Sequence, residues 1–306
     1  GVEPCSKAYN SLLTAYRRER VWGKAEAALA YMQNTGHMPD RNTMTSLMWT
    51  MRDRGRWEEA ERVFVRMRAL GIHPDTGAVN ALISAYSCAG HWSKAQAAFD
   101  RMAAAGLRPD RVSFVCLLAA YKSQGKVDLA HTAFEQMEAA GFSATTREFN
   151  LLLGACSWGG HWERAEAVVS RMLREGSTSA PNHSTFRALM RACARGGQIA
   201  RAENVLTRMK DAGLEVTTCD YNGVLLACKE CNEWQRAIAT TELMQAEGVK
   251  MDQISYTALI GCLVKTAKWT QAREVAHRMR SLSFVPASKH LQSVFVSLLD
   301  SCHSTR

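Results

Sequence analysis

The sequence repeats itself with a period of 35 residues, and that period limits the fold more than any other feature. Trp22, Trp57 and Trp92 stand 35 residues apart, as do Trp234 and Trp269. Trp162 lies two periods after Trp92, with Val127 in the slot between them. Trp234 follows Trp162 by 72 residues, two periods and a two-residue insertion, with Ile199 between. Two further columns keep this phase through eight copies. Ala recurs three residues after each position, at Ala25, Ala60, Ala95, Ala130, Ala165, Ala202, Ala237 and Ala272. Met recurs ten residues after, at Met32, Met67, Met102, Met137, Met172, Met209, Met244 and Met279. Gly follows the Met by four in seven copies, from Gly36 to Gly248, and Ser283 takes its place in the eighth. A unit of this length that recurs in phase is one supersecondary element stacked on its neighbours.

Each copy predicts two helices. Early in the copy, apolar residues recur at i, i+3, i+4 and i+7, as in Tyr9, Leu12, Leu13 and Tyr16, or Phe149, Leu152, Leu153 and Cys156. That spacing is one face of an α-helix. Small residues near its end, Ala15, Ala85, Ala120, Ala155, Ala192 and Ala227, are expected to let a neighbouring helix approach closely. Gly55, Gly90, Gly125, Gly160 and Gly197 mark a turn, and a second helix starts at the Trp slot. Trp57, Ala60, Phe64 and Met67 form its stripe. Pro39-Asp40, Pro74-Asp75, Pro109-Asp110 and Pro181-Asn182 end their copies, because Pro cannot continue a helix and forces an extended link. One helix pair cannot bury its stripe alone, but stacked pairs can. The expected fold is all-α, an α-solenoid with first helices on its inner surface and second helices on its outer one.

Composition narrows the function classes. The chain has 306 residues, 47% of them hydrophobic, enough apolar surface for a core and too much for a disordered chain. No run of about 18 apolar residues occurs, so no membrane span is expected. Ten Cys over this length point to a reducing compartment rather than a disulfide scaffold. The net charge of +9 suits a polyanionic partner. There is no Walker, GxSxG or HExxH motif and no zinc-deaminase signature, so no enzyme activity, cofactor, metal or small-molecule substrate is expected. Cys228-x-x-Cys231 has no second pair, and Cys156, Cys193 and Cys228 share one repeat slot, which favours buried apolar residues over zinc ligands. The Trp and Met columns and the first-helix aromatics read as core. His91 and His161 read as surface residues, and Arg62, Arg66 and Arg68 as a solvated outer face.

The period, the early Tyr or Phe of the first helix, the Ala and Met of the second and the closing Gly-x-x-Pro-Asp resemble the pentatricopeptide repeat family. Tetratricopeptide repeats have 34 residues and lack the Pro-Asp ending. The resemblance spans 6–287 in eight repeats: 6–40, 41–75, 76–110, 111–145, 146–182, 183–217, 218–252 and 253–287. It leaves 1–5 as a lead-in and 288–306 as a partial ninth repeat or capping helix. It implies a right-handed superhelix, an organellar location with mitochondrion favoured over chloroplast, and binding of single-stranded RNA at one base per repeat. The opening Gly1-Val2-Glu3-Pro4 carries no Met and no Arg-rich, acid-poor segment, so the chain is expected to be processed or trimmed and targeting rests on the resemblance.

The resemblance also implies the site. In the family one polar side chain after the early aromatic, and a second directly after the Pro, read one base edge. The readout pairs are Asn10 and Asp40 (U), Thr45 and Asp75 (G), Asn80 and Asp110 (U), Asn150 and Asn182 (a pyrimidine), and Asn222 and Asp252 (U). Val115 with Thr145, Arg187 with Thr217, and Thr257 with Ala287 fall outside the code. The implied register is U-G-U-n-Y-n-U-n. Basic residues late in the first helix, Arg18, Arg195 and Lys265, are implied phosphate contacts, while Asp53 and Glu230 bring the wrong charge to that slot. Val112 and Ile254 match the residue that wedges between bases. The function expected first is a subunit of the mitochondrial ribosome, or of another ribonucleoprotein, that clamps ribosomal RNA and packs against ribosomal proteins. The alternatives are a sequence-tuned organellar transcript-binding factor for RNA stability, processing or translation and, third, a protein scaffold.

Overall fold

The computed structural model describes residues 6–19, 21–52, 56–176, 179–284 and 292. The expected lead-in at 1–5, almost all of the expected capping segment at 288–306, Asp53 and the Gly55 turn lie outside the described residues, as does the side chain of Trp22. Two compact units, 1–155 and 156–306, divide the chain inside one helix. The first unit holds α1 (Ser6–Glu19), α2 (Trp22–Asn34), α3 (Arg41–Met51), α4 (Trp57–Ala69), α5 (Thr76–Cys88), α6 (Trp92–Ala104), α7 (Arg111–Ser123) and α8 (Val127–Ala139). α9 (Thr146–Gly159) contains the division point. The second unit continues with α10 (Trp162–Glu175), α11 (His183–Arg195), α12 (Ile199–Asp211), α13 (Thr218–Cys231), α14 (Trp234–Ala246), α15 (Gln253–Lys265) and α16 (Trp269–Ser281). Among the described residues there is no strand, and no helix is long and apolar enough to cross a membrane.

Each unit is a two-layer stack. In the first, α1, α3, α5 and α7 lie side by side, and α2, α4 and α6 each pack on their own partner and on the next odd-numbered helix. In the second, α11, α13 and α15 form the close-packed layer, with α10, α12 and α14 wedged behind. The fold is therefore an α-solenoid, as the period requires.

The columns explain the packing. All eight Ala and all eight Met of the repeated columns are at most 1% exposed. Full burial of a Met side chain stabilises by about 1.5–3 kcal/mol, and the flexible thioether fills the gap between layers. Tyr9, Phe114, Phe149, Phe186, Tyr221 and Tyr256 are buried at the matching first-helix position. Phe134 and Phe149, and Phe99 and Phe114, meet with ring centroids 5.0 and 5.2 Å apart. Gly223 faces Met190 so closely that an added Cβ would overlap its sulfur and have to displace the Met side chain. The second helices end in left-handed caps. At Gly106, φ is +70°, and the Leu107 N–H returns to the Met102 carbonyl at 2.9 Å.

The Trp column differs from the expected core reading. Trp57, Trp92, Trp162 and Trp234 are half-buried, and Trp269 is exposed. Each of the first four lies beneath a cation from the following copy: Lys94, Lys126, Arg201 and Lys268, at 3.7, 5.1, 4.2 and 4.8 Å from the ring centroids. The ring sits at the turn between two helices, where one face packs and the other meets a charge instead of oil.

Candidate nucleic-acid interface

The readout positions are built on helix N-termini. The extended link leaves Asp40, Asp75, Asp110, Asn182 and Asp252 at the N-caps of α3, α5, α7, α11 and α15. Each side chain accepts a hydrogen bond from the backbone N–H three residues on, at Thr43 (2.7 Å), Ala78 (2.9 Å), Ser113 (2.8 Å), Thr185 (3.1 Å) and Ser255 (2.8 Å). The caps satisfy orphan donors of the first turn and pin each side chain in one place.

Three sequence-predicted pairs are joined directly. The Asn10 amide donates to Asp40 Oδ2 at 3.0 Å, the Asn80 amide to Asp110 Oδ1 at 2.9 Å, and the Asn222 amide to both Asp252 oxygens at 3.1 and 3.2 Å. The amide oxygen of Asn10 accepts from the Thr43 hydroxyl, and that of Asn222 from the Ser255 hydroxyl, each at 2.6 Å. The Asn10 and Asn222 amides are thus held from both ends, leaving one N–H of the NH2 and carboxylate lone pairs to face a ligand. Burial works against ionisation of Asp40 and Asp252. The hydrogen bonds from Thr43 and Asn10, and from Ser255 and Asn222, outweigh it and hold both carboxyls below their usual range.

Two atoms at the expected readout positions are left over: among the described residues, Thr45 Oγ1 and Asn80 Oδ1 are buried without a hydrogen-bond partner. Thr45 and Asp75 are not bonded to each other, but both face Gly77, where an added Cβ would meet Asp75 Oδ1 at 3.4 Å and Thr45 Cγ2 at 3.7 Å. Asn150 is half-buried in α9, and Asn182 is the cap of α11 described above.

At two seams the chemistry is inverted. Thr145 and Thr217 stand where the other copies carry Asp or Asn, and the acid appears three residues later as Glu148 and Asp220. Glu148 accepts from the Thr145 backbone N–H at 2.9 Å and from its hydroxyl, and Asp220 accepts from the same groups of Thr217 at 2.9 and 2.7 Å. Both carboxylates are buried and each draws in an arginine. Arg111 makes a two-pronged contact with Glu148 at 3.2 and 3.0 Å, and Arg187 Nε donates to Asp220 at 2.7 Å. Burial again opposes ionisation, and the Arg and Thr hydrogen bonds again prevail, so both carboxyls sit below their usual range. Sequence reading passed over Thr43, Ser113, Ser255, Glu148 and Asp220. The signal was present as a capping box, a Ser, Thr, Asp or Asn with a reciprocating side chain three residues on.

The implied phosphate contacts fall into two kinds. Arg18 is exposed and lines a cleft of about 700 Å³ with Asn10, Ser11, Thr14 and Asn42. Arg195 and Lys265 instead cap neighbouring helix ends. Arg195 Nη1 donates to the carbonyls of Ser157 and Trp158 at 3.1 and 3.2 Å, and Lys265 Nζ to that of Lys229 at 3.4 Å. Val112 and Ile254 are 44% and 62% exposed. Cys228 is fully buried, and burial pushes its thiol up to about 12, so it is protonated and unreactive at neutral pH. Among the described residues no group of three His, Cys, Asp or Glu is placed to hold a metal ion.

The fold has counterparts among known proteins. The family described as the pentacotripeptide-repeat region of PRORP matches residues 54–175 and 162–294. Two crystal structures of the pentatricopeptide repeat protein PPR10, each in complex with an 18-nt psaJ RNA element, are similar, with a TM-score of 0.62 and 19% identity. The match covers 97% of this chain and 46% of theirs, so the chain spans less than half the length of those structures. A further structure of PPR10, from maize, matches at a TM-score of 0.43 and 19% identity over 100% of this chain and 60% of that one. At this identity the likeness is one of fold. No curated protein sequence matches. With the family profile covering most of its length, and sixteen helices among the described residues at the spacing its period demands, the chain belongs to the pentatricopeptide repeat family.

Proposed function

We propose that this chain binds single-stranded RNA along its odd-numbered helices and reads bases through the residue pairs of its first three repeats. The eight repeats at 6–287 serve as reading frames with the register U-G-U-n-Y-n-U-n. The observation that carries this reading is the joined pair at two of these seams, where the Asn10 amide donates to Asp40 and the Asn80 amide to Asp110. An amide fixed against a carboxylate presents a defined set of donors and acceptors to one base edge. The fold shared with PPR10, which has been captured with RNA, supports the same reading. The chain acts by binding rather than by catalysis, and the mitochondrion is its proposed compartment.

A second reading is favoured by the basic residues. Arg195 and Lys265 direct donors to helix carbonyls, and Glu230 is exposed in the same slot. Fewer phosphate contacts mean weaker sequence-independent grip, which suits a subunit of the mitochondrial ribosome or another ribonucleoprotein whose other proteins hold the RNA. Sedimentation of the tagged chain from organelle lysate separates the two. Migration as a small particle with one enriched transcript supports the factor, and migration with a ribosomal subunit supports the structural role. In either case Arg18→Ala is expected to weaken all RNA sequences alike and to lower the salt slope by about one phosphate contact.

A further inference from the structure

Arg187 stands in α11 where Asn222 stands in α13, one repeat later, at the position that reads a base in other copies. Its guanidinium is fixed on one edge. Nε donates to Asp220 Oδ1 at 2.7 Å and Nη2 to Thr217 Oγ1 at 3.3 Å. Asp220 is itself immovable, wholly buried and bonded by the Thr217 backbone and hydroxyl. Yet the Arg187 side chain remains 39% exposed. A guanidinium carries five N–H donors in one plane. Two are engaged here, which leaves the outer fork of Nη1 and Nη2, and no hydrogen bond among the described residues uses Nη1. Arg187 therefore touches Thr217, the last residue of its copy, as Asn222 touches Asp252.

The charge balance indicates what this fork recognises. Asp220 is ionised and cancels the Arg187 charge. A neutral pair gains little from a phosphate, whose attraction is Coulombic. The donor geometry is unaffected, and a rigid fork of parallel donors matches two adjacent acceptors. Guanine presents such a pair at O6 and N7, and cytosine presents one at N3 and O2. Adenine sets its N6 donor beside both N7 and N1, and uracil alternates acceptor, donor and acceptor.

We propose that Arg187, braced by Asp220 and Thr217, determines specificity in the sixth repeat by selecting a base with two adjacent acceptors, guanine or cytosine, against adenine and uracil. This rests on the RNA-reading function above. The test titrates the intact chain against four RNAs, 5′-U-G-U-A-C-X-U with X varied, and a fifth in which the second base is A. Guanine or cytosine at X bound about tenfold more tightly than adenine and uracil supports the proposal, the tighter of the two naming the edge. Arg187→Lys keeps the charge and loses the planar fork, and is expected to bring the four affinities within about twofold while the second-base preference persists. Equal affinities for all four X in a chain that still discriminates the second base overturn this inference alone. Loss of discrimination at the second base as well overturns the RNA reading itself. A uniform weakening by Arg187→Lys with unchanged ratios assigns Arg187 to phosphate and also overturns the proposal.

Discussion

The seam between α1 and α3 and the seam between α11 and α13 solve one problem in opposite ways. Each must satisfy the first turn of a helix that follows an extended link. In the first, Asp40 caps the helix, its carboxylate stays near the surface, and Asn10 leans on it. In the second, Thr217 is the cap and the carboxylate moves to Asp220, three residues on and fully buried, where it requires Arg187. The number of satisfied donors is similar, but the group shown to a ligand changes from an amide and a carboxylate to a hydroxyl and a guanidinium. The α7–α9 seam, with Thr145, Glu148 and Arg111, belongs to the second type. Moving an acid by three residues is thus enough to change the groups that a seam presents without altering its fold.

The comparison is broken most severely at Arg187. Arg187→Ala leaves the buried Asp220 carboxylate with only the His183 imidazole beside it, at 3.8 Å, and is expected to cost about 3 kcal/mol, the low end for a broken buried pair because Arg187 is partly exposed, whereas Asn222→Ala at a seam of the first type should cost about 1 kcal/mol. Equal losses in urea melts would mean the two seams do not differ in kind. Asp110→Ala removes a cap and should cost about 0.5–2 kcal/mol, measured in the same melts. Acid sharpens the contrast. Asp40, Glu148, Asp220 and Asp252 all have folded pKa values below their unfolded ones. Their contribution is complete above the unfolded values of about 4 and is lost as pH falls through the folded ones. Thermal midpoints should therefore be flat from about pH 7 to 5 and drop below about 4, with Asp220→Asn reducing the drop. The smallest effect is expected at Lys94. Its contacts with Trp57 and Glu61 are half-exposed, and Lys94→Ala should cost no more than about 1 kcal/mol.

The layers were legible because the period fixes them. Ala130 and Met137 keep their spacing in every copy, and a buried stripe tolerates no drift in phase. The Asn10–Asp40 and Asn222–Asp252 partners were legible through the family resemblance, but their bracing by Thr43 and Ser255 was not, since a Ser or Thr on a helix has many uses until its neighbour is placed. Arg187 looked like an uncoded exception because its partner Asp220 lies 33 residues away. The cations over the Trp rings were hidden for a similar reason. Lys94, Lys126, Arg201 and Lys268 do not hold one column, so no periodicity announces them, and the Trp slot read as plain core.

The central claim is that paired side chains at the first three seams read bases, and Thr45 tests it most directly. Its hydroxyl has no hydrogen-bond partner among the described residues. Equilibrium binding of the chain and of Thr45→Ala is to be compared on two RNAs that differ only as U-G-U against U-A-U. The account predicts that the chain prefers guanine by about tenfold, within the ~1–3 kcal/mol typical of a wrong base, and that Thr45→Ala binds both RNAs equally. A Thr45→Ala chain with the same affinity and the same preference as the parent would contradict it.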